Sequence, residues 1–360
     1  MTKEDILARL ALLTEEELNL ILRIYREHRP LDRKTLEVFK IPEAVKKTTM
    51  RFSVDGELKN TILNFPTHLT AVPEPSAELI DRCRAIYEKR CFCFDELGEL
   101  LVQKCLEYAT SYTTRPLLLY GAPGAGKTHR ASVFAEMMGL PFESTNVPLA
   151  IHNTGLAGEC GSYKNASVGI LAKAMFIHQS CNLVLNIEEI DKDAKNDTRP
   201  SISEQFLKVL DQDATRFRDN RLGFDIDVSH IIYVFTANDK SRIPEPLLDR
   251  CDCIEVKLPT RTEVENILRA SIIPSATRKL NSKHPISFCE DAVNCIMNSL
   301  WRGDETSLRQ YQSLVGKCAS NAYVRSVMED IPVEIGKGEV EDMLVKLRVF
   351  RGESNARIGF

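Results

Sequence analysis

Gly121, Ala122, Pro123, Gly124, Ala125, Gly126, Lys127 and Thr128 follow one another as G-x-x-x-x-G-K-T. In this spacing, backbone amides can curl around a polyphosphate. Glycines at 121, 124 and 126 permit angles that a Cβ disfavours, so successive N–H groups can point inward. Lys127 then reaches the outer phosphates, the Thr128 hydroxyl suits Mg²⁺, and a helix opening at Thr128 and His129 adds the partial positive charge of its N-terminus. The plain alternative is a glycine-rich turn before an ordinary helix. The flanking residues favour the phosphate site: Pro116-Leu-Leu-Leu-Tyr120 has the continuous apolar character of a buried strand, and residues 128–138 have that of a helix. The spacing predicts a nucleoside triphosphate site.

Such a loop needs carboxylates for metal and water. Asn182-Leu-Val-Leu-Asn-Ile187 predicts a second buried strand, running into Glu188 and Glu189. Acidic groups at the carboxyl edge of a parallel strand sit where open α/β sheets bind ligands. The expectation is that Glu188 serves Mg²⁺ and its waters while Glu189 activates the attacking water. Ser229–Phe235 predicts a third strand, ending at Thr236-Ala-Asn238, whose amide can reach a γ-phosphate or the water. Arg250, in Pro246-Leu-Leu-Asp-Arg250, suits the phosphate of a neighbouring subunit, because guanidinium forks onto phosphate oxygens. Its plain alternative is a surface ion pair with Asp249 or Asp252.

To position these groups, residues 77–89 and 94–112 predict helices, and strands alternate with helices from Arg115 to about Leu258. That alternation predicts a three-layer α/β fold around a parallel sheet. Beyond Pro259 the pattern turns helical, over 263–271, 289–300 and 307–328, with a mixed tail from Ile331. Residues 3–28 carry an amphipathic helical pattern, and Val72–Ser76 has linker composition. The expected division is a mainly helical region over 1–76, a nucleotide-binding core over 77–258, a helical segment over 259–330 and a tail over 331–360.

Taken in order, these motifs resemble the AAA+ ATPases, and more finely the ATPase module of the Lon proteases. The carrying stretches are Glu189-Ile-Asp-Lys192, Phe206-Leu-Lys-Val-Leu-Asp211, Phe217-Arg-Asp219 with Asp225-Ile-Asp227, Ile243–Arg250, and Thr306-Ser-Leu-Arg309. The resemblance covers about residues 115–347. It implies a P-loop core with a five-stranded parallel sheet, a small helical lid, ATP with Mg²⁺, and a homo-oligomeric ring, commonly of six subunits. By that resemblance Lys127 and Thr128 hold phosphates and Mg²⁺, and Glu189 polarises the water. Asn238 is the first sensor, Arg250 the finger reaching the adjacent subunit's nucleotide, and Arg309 a second sensor brought by the lid. Phe92 and Phe94 are candidates for the adenine pocket.

The sequence departs from the family at three places. It ends at Phe360, about where a Lon peptidase domain begins, with no serine–lysine pair following, so the expectation is an ATPase without proteolysis. Glu188 stands where the family has aspartate, displacing the carboxylate by a methylene. In the substrate-gripping loop, Ser167 precedes Val168-Gly169 in place of an aromatic. Either Tyr163 with Lys164 takes over the grip from a shifted register, or Tyr163 is a packed loop residue.

A net charge of −4 exerts no global pull on nucleic acid, no apolar run approaches a membrane span, and the N-terminus lacks the basic and apolar regions of a secretory signal. Eleven cysteines, with no metal-binding spacing, predict reduced thiols in a cytoplasmic protein. Three functions remain in view, ranked in this order. The first is an ATP-driven remodelling module acting on a protein client or with a separately encoded partner. The second is a nucleotide-controlled switch or scaffold with little turnover, and the third a DNA-acting AAA+ ATPase of a mobile-element or defence system.

Overall fold

A computed structural model describes residues 36–43, 45–46, 56–147, 155–158, 167–193, 201–280, 283–303 and 307–350. The expected helix over 3–28, the loop with Tyr163 and Lys164, Thr306, and residues 351–360 lie outside them.

Ahead of the sheet come β1 (Leu36–Glu37), α1 (Gly56–Leu63), β2 (His68–Leu69), α2 (Ala77–Cys91) and α3 (Glu96–Ser111). The core continues with β3 (Leu117–Tyr120), α4 (Lys127–Met138), β4 (Phe142–Asn146), α5 (Ile170–His178), β5 (Val184–Glu188) and α6 (Ile202–Leu210). A hairpin of β6 (Phe217–Asp219) and β7 (Phe224–Ile226) leads to β8 (Ile232–Ala237), α7 (Glu245–Leu248) and β9 (Asp252–Glu255). The lid holds α8 (Arg261–Ile267), α9 (Ile273–Lys279), β10 (Ile286–Phe288), α10 (Glu290–Leu300), α11 (Leu308–Glu329), β11 (Val333–Ile335) and α12 (Lys337–Phe350).

Five strands form one parallel sheet in the order β4-β5-β8-β3-β9. Its central strands are mostly apolar on both faces, as a sheet covered on both sides requires. Leu117 and Leu119 of β3, with Ile232 and Val234 of β8, point into a cluster shared with α2, α3 and α4. Leu118, Tyr233 and Phe235 point into the opposite cluster, with Phe206 of α6. Order reverses at β3: its chain crosses through α4 to β4 at the far edge, so the loop after β3 opens beside the tip of β8.

Caps set the helix starts. Ser76 accepts from Leu79 N–H (3.2 Å) and Asp95 from Gly98 N–H (3.0 Å). Thr260 and Glu263 form a capping box at the entrance to the lid. The segment ahead of Val72–Ser76 packs on the sheet: Ile62, Phe65 and Leu69 are buried in the same cluster as Phe235.

The lid differs from its sequence pattern in two ways. A single helix was expected over 263–271, but a π-helical turn at Leu268–Ile272 joins α8 to α9. Pro274, at the start of α9, lacks the N–H that would bond four residues back, and the turn ahead of it widens. The expected mixed tail is also part of the lid. β11 pairs in parallel with β10, and Val333, Ile335, Val340 and Met343 are buried with α10 and α11.

Phe206 packs edge-on against Phe235 (centroids 4.9 Å apart) and Tyr233 (5.6 Å) beneath the sheet. Phe206→Ala is expected to destabilise the core by about 3–5 kcal/mol, measured as a lower urea midpoint with an unchanged slope.

Candidate functional site

The loop after β3 is shaped by what crowds it. A Cβ on Gly121 would stand 2.4 Å from the Val256 carbonyl oxygen, so only glycine lets the chain leave β3 this close to the end of β9. Gly124 (φ 87°) and Gly126 (φ 86°) then turn the backbone through left-handed angles into α4. Lys127 folds back over this turn. Its ammonium donates to the carbonyls of Gly121 (2.8 Å) and Ala122 (3.0 Å) and to Asn238 Oδ1 at the tip of β8 (2.9 Å). Burial pulls the Lys127 pKa below its usual value; Asp191 and Glu189 oppose this, and Arg309 adds to it.

The sequence placed Glu188 and Glu189 together, but the structure sends them in different directions. Glu188 ends β5, and its Oε1 accepts from Ser144 Oγ on β4 (2.9 Å). Glu189 takes a left-handed backbone (φ 60°), costly for a residue with a side chain, and its carboxylate pairs with Lys192 at 2.8 Å. Asp191, two residues on, is buried, and its Oδ2 accepts from the backbone N–H of Asn238 (3.2 Å) and Asp239 (3.3 Å). Asp191 thereby holds the strand tip that presents Asn238 to Lys127. Its role was not legible in the sequence, where Asp191 is an acidic residue inside the stretch Glu189-Ile-Asp-Lys192 that drew notice for its neighbours.

A cavity of about 590 Å³ lies between the core and the lid. Gly124, Gly126, Lys127, Thr128 and His129 line it, together with Glu188, Glu189 and Asn238. Pro123 and Ala125 border it, while Gly121 and Ala122 act behind it as acceptors for Lys127. The lid brings Arg309, Gln312 and the apolar Ile267, Ile272 and Leu308. A Cβ on Gly124 would lie 3.3 Å from Ser307 Oγ, so the start of α11 rests against the phosphate loop. The lid's apolar contributions escaped sequence reasoning, because only the tertiary fold turns them towards the loop.

Phe92 borders this cavity beside Cys91 and Cys93. Phe94 does not: it packs edge-on against Tyr87 (5.9 Å) with Arg84 over its ring, and is corrected from the expected adenine pocket. His129 Nε2 stands 3.0 Å from the Arg90 carbonyl oxygen, and burial lowers the imidazole pKa, favouring a neutral ring.

Arg130, another residue the sequence did not flag, braces the loop from below. It donates to the Ala125 carbonyl (3.0 Å), to Tyr87 Oη (3.1 Å) and to Asp95 (3.0 Å); Tyr87 in turn donates to Asp95 at 2.6 Å. The capping aspartate of α3 is thus tied to the phosphate loop.

Arg250 lies apart from the cavity, beyond the end of α7. Its guanidinium forks onto Asp211, at 3.0 and 3.2 Å, and donates to the Pro246 carbonyl at 2.9 Å. The plain alternative weighed for Arg250 was an ion pair with Asp249 or Asp252; the partner is Asp211, which follows α6 and comes close only through the fold.

Residues 117–258 match the ATPase family associated with various cellular activities (AAA). The chain is 30% identical over 244 residues to a Lon protease of Campylobacter jejuni, a match that takes in 66% of this chain and 30% of that protein. It is 34% identical over 215 residues to the peroxisomal Lon protease homolog 2 of Pichia angusta, covering 59% and 23% respectively, and 25% identical over 282 residues to a Lon protease of Porphyromonas gingivalis, covering 77% and 33%. The chain therefore spans about a quarter to a third of the length of these relatives. It carries an AAA+ ATPase module resembling that of the Lon proteases, on the α/β fold described above. No described helix is long and apolar enough to cross a membrane.

Asp191→Ala removes the acceptor of two backbone donors and is expected to destabilise the chain by about 1–3 kcal/mol. Asp191→Asn, which keeps an acceptor oxygen, is expected to recover most of that loss in a denaturant titration.

Proposed function

We propose that this AAA+ module hydrolyses ATP at sites shared between neighbouring copies of the chain, and uses the cycle to move its lid against its core. The observation that carries the proposal is the convergence on one cavity of Lys127, Thr128, Glu188, Glu189, Asn238 and Arg309, while Arg250 stands outside it.

Lys127 would exchange its contacts with Gly121, Ala122 and Asn238 for phosphate oxygens; a phosphate anion also offsets the burial that depresses its pKa. Arg309, standing at the start of α11, would engage the γ-phosphate from the lid, so its grip depends on what the nucleotide carries. Asn238, released by Lys127, would orient the attacking water with Glu189, once Glu189 turns from Lys192. Ile267, Ile272, Leu308 and Phe92 supply apolar surface for the base and exclude water around it.

Thr128 and Glu188 are oxygen donors bordering the same cavity, and among the described residues no group of three or more His, Cys, Asp and Glu could hold a metal unaided. A sparse oxygen set of this kind fits Mg²⁺, which is held through one or two protein groups together with substrate phosphates and water. Bound there, Mg²⁺ would neutralise charge on the phosphates during transfer.

Arg250, which does not line its own chain's cavity, suits a neighbour's nucleotide, which supports a homo-oligomeric ring, six-membered by the resemblance. Asp211 would surrender the Arg250 guanidinium as that interface forms. The client would be a protein, or a separately encoded partner that the ring drives. The described cysteines are all free, and burial raises Cys91, Cys181 and Cys251 to about 12, keeping them as unreactive thiols suited to a reducing, cytoplasmic setting.

Phosphate release per subunit is expected to climb with protein concentration. Lys127→Ala should abolish it through lost nucleotide binding. Arg250→Ala should leave ATP binding intact and cut turnover by about 10³-fold or more. Concentration-independent turnover that survives Arg250→Ala would sink the shared-site reading, and tight ATP binding without turnover in the unaltered chain would leave a nucleotide-controlled switch.

A further inference from the structure

We infer that Ser144 and Asn186 are positioning residues that set the Glu188 carboxylate for the metal accompanying the nucleotide, an inference that rests on the ATPase reading above. Asn186 lies within β5, between β4 and β8, where a polar side chain is out of place, and it is completely buried. Side chains two apart on a strand share a face, so Val184, Asn186 and Glu188 form one row. Val184 belongs to the cluster built with α4, and the row therefore runs along the phosphate-loop side of the sheet. On the neighbouring strand Ser144 pairs directly with Asn186 in register.

These three groups form a directed chain. Asn186 Nδ2 donates to Ser144 Oγ (2.9 Å), and Ser144 Oγ donates to Glu188 Oε1 (2.9 Å), which also lies 3.5 Å from Asn186 Nδ2. Both donors converge on one carboxylate oxygen. Among the described residues these bonds leave Oε2 without a protein donor, free for the water shell of a cation. Asn186 Oδ1 is meanwhile buried with no partner among the described residues. An apolar side chain of similar size would fill the strand without that orphaned acceptor, so packing does not explain the amide, and its donated bonds do.

The physical need comes from the length of glutamate. Its additional methylene gives the carboxylate an extra rotatable bond and carries it past the place an aspartate would occupy. Tethering Oε1 to β4 draws the group sideways and removes that freedom before any ligand arrives, as partners behind a metal ligand commonly do.

The test uses the full chain, with Mn²⁺ as the probe and ADP as the nucleotide, and free Mn²⁺ counted by electron paramagnetic resonance. Ser144→Ala and Asn186→Leu are each expected to weaken Mn²⁺ binding in the ADP complex about tenfold. Metal-free ADP affinity, measured in parallel, should stay unchanged and report an intact fold. In a Glu188→Ala background neither substitution should have a further effect, because the carboxylate they position is gone. Mn²⁺ affinities within about twofold of the unaltered chain, or equal losses with and without Glu188, would overturn the inference. If Asn186→Leu does not fold, Ser144→Ala at its half-buried edge-strand position decides the matter alone. An unaltered chain that binds no ADP would instead overturn the nucleotide reading, and this inference with it.

Discussion

The ammonium of Lys127 holds three oxygens that lie just beyond the ends of two strands, which meet only in the folded sheet. Two are carbonyls of its own loop, and the third is the Asn238 amide oxygen at the tip of β8. That interaction requires β3 and β8 to be neighbours in parallel register, a loop that leaves β3 without a Cβ at Gly121, and a helix that begins at Lys127 itself. Much of the surrounding architecture serves those requirements. Arg130 fastens the loop to α2 and α3 from one side, and Asp191 fastens the tip of β8 from the other. A cation with three protein acceptors is also poised for exchange, since phosphate oxygens can replace them without leaving a charge unpaired.

Electrostatics divide the site into a permanent part and a movable part. Asp191 is buried and bonded to backbone, and Glu188 is bonded to β4, so both carboxylates stay where the sheet puts them. Glu189 and Arg250 are held instead by ion pairs with Lys192 and Asp211 at the half-exposed surface. Pairs of that kind contribute little stability and exchange easily. The groups proposed for water activation and for a neighbouring subunit are thus the ones the fold leaves free to change partners.

The lid is a separate hydrophobic unit whose own core closes through β10, β11 and α12. It meets the phosphate loop through the start of α11, at Ser307, Leu308 and Arg309. A body with its own core can shift as a unit, and its contact lies beside the loop proposed to hold the triphosphate.

Residue type and spacing alone determined the phosphate loop, the strands before it and before the acidic pair, the tip at Asn238, and the parallel α/β class. Each of these depends on local chemistry: glycine at constrained angles, continuous apolar runs, a charged residue at a strand end. Only the tertiary structure decided that Glu188 and Glu189 diverge, that Asp191 steers Asn238, that Asp211 rather than a nearer aspartate holds Arg250, and that Phe94 turns away from the cavity. It also brought residues 333–347 into the lid core, although their sequence suggested a tail. These outcomes depend on contacts between segments far apart in the chain, from the 47 residues separating Asn238 from Asp191 to the register that sets Ser144 beside Asn186. No local pattern carries that information, because it arises only when the sheet's strand order brings those segments together.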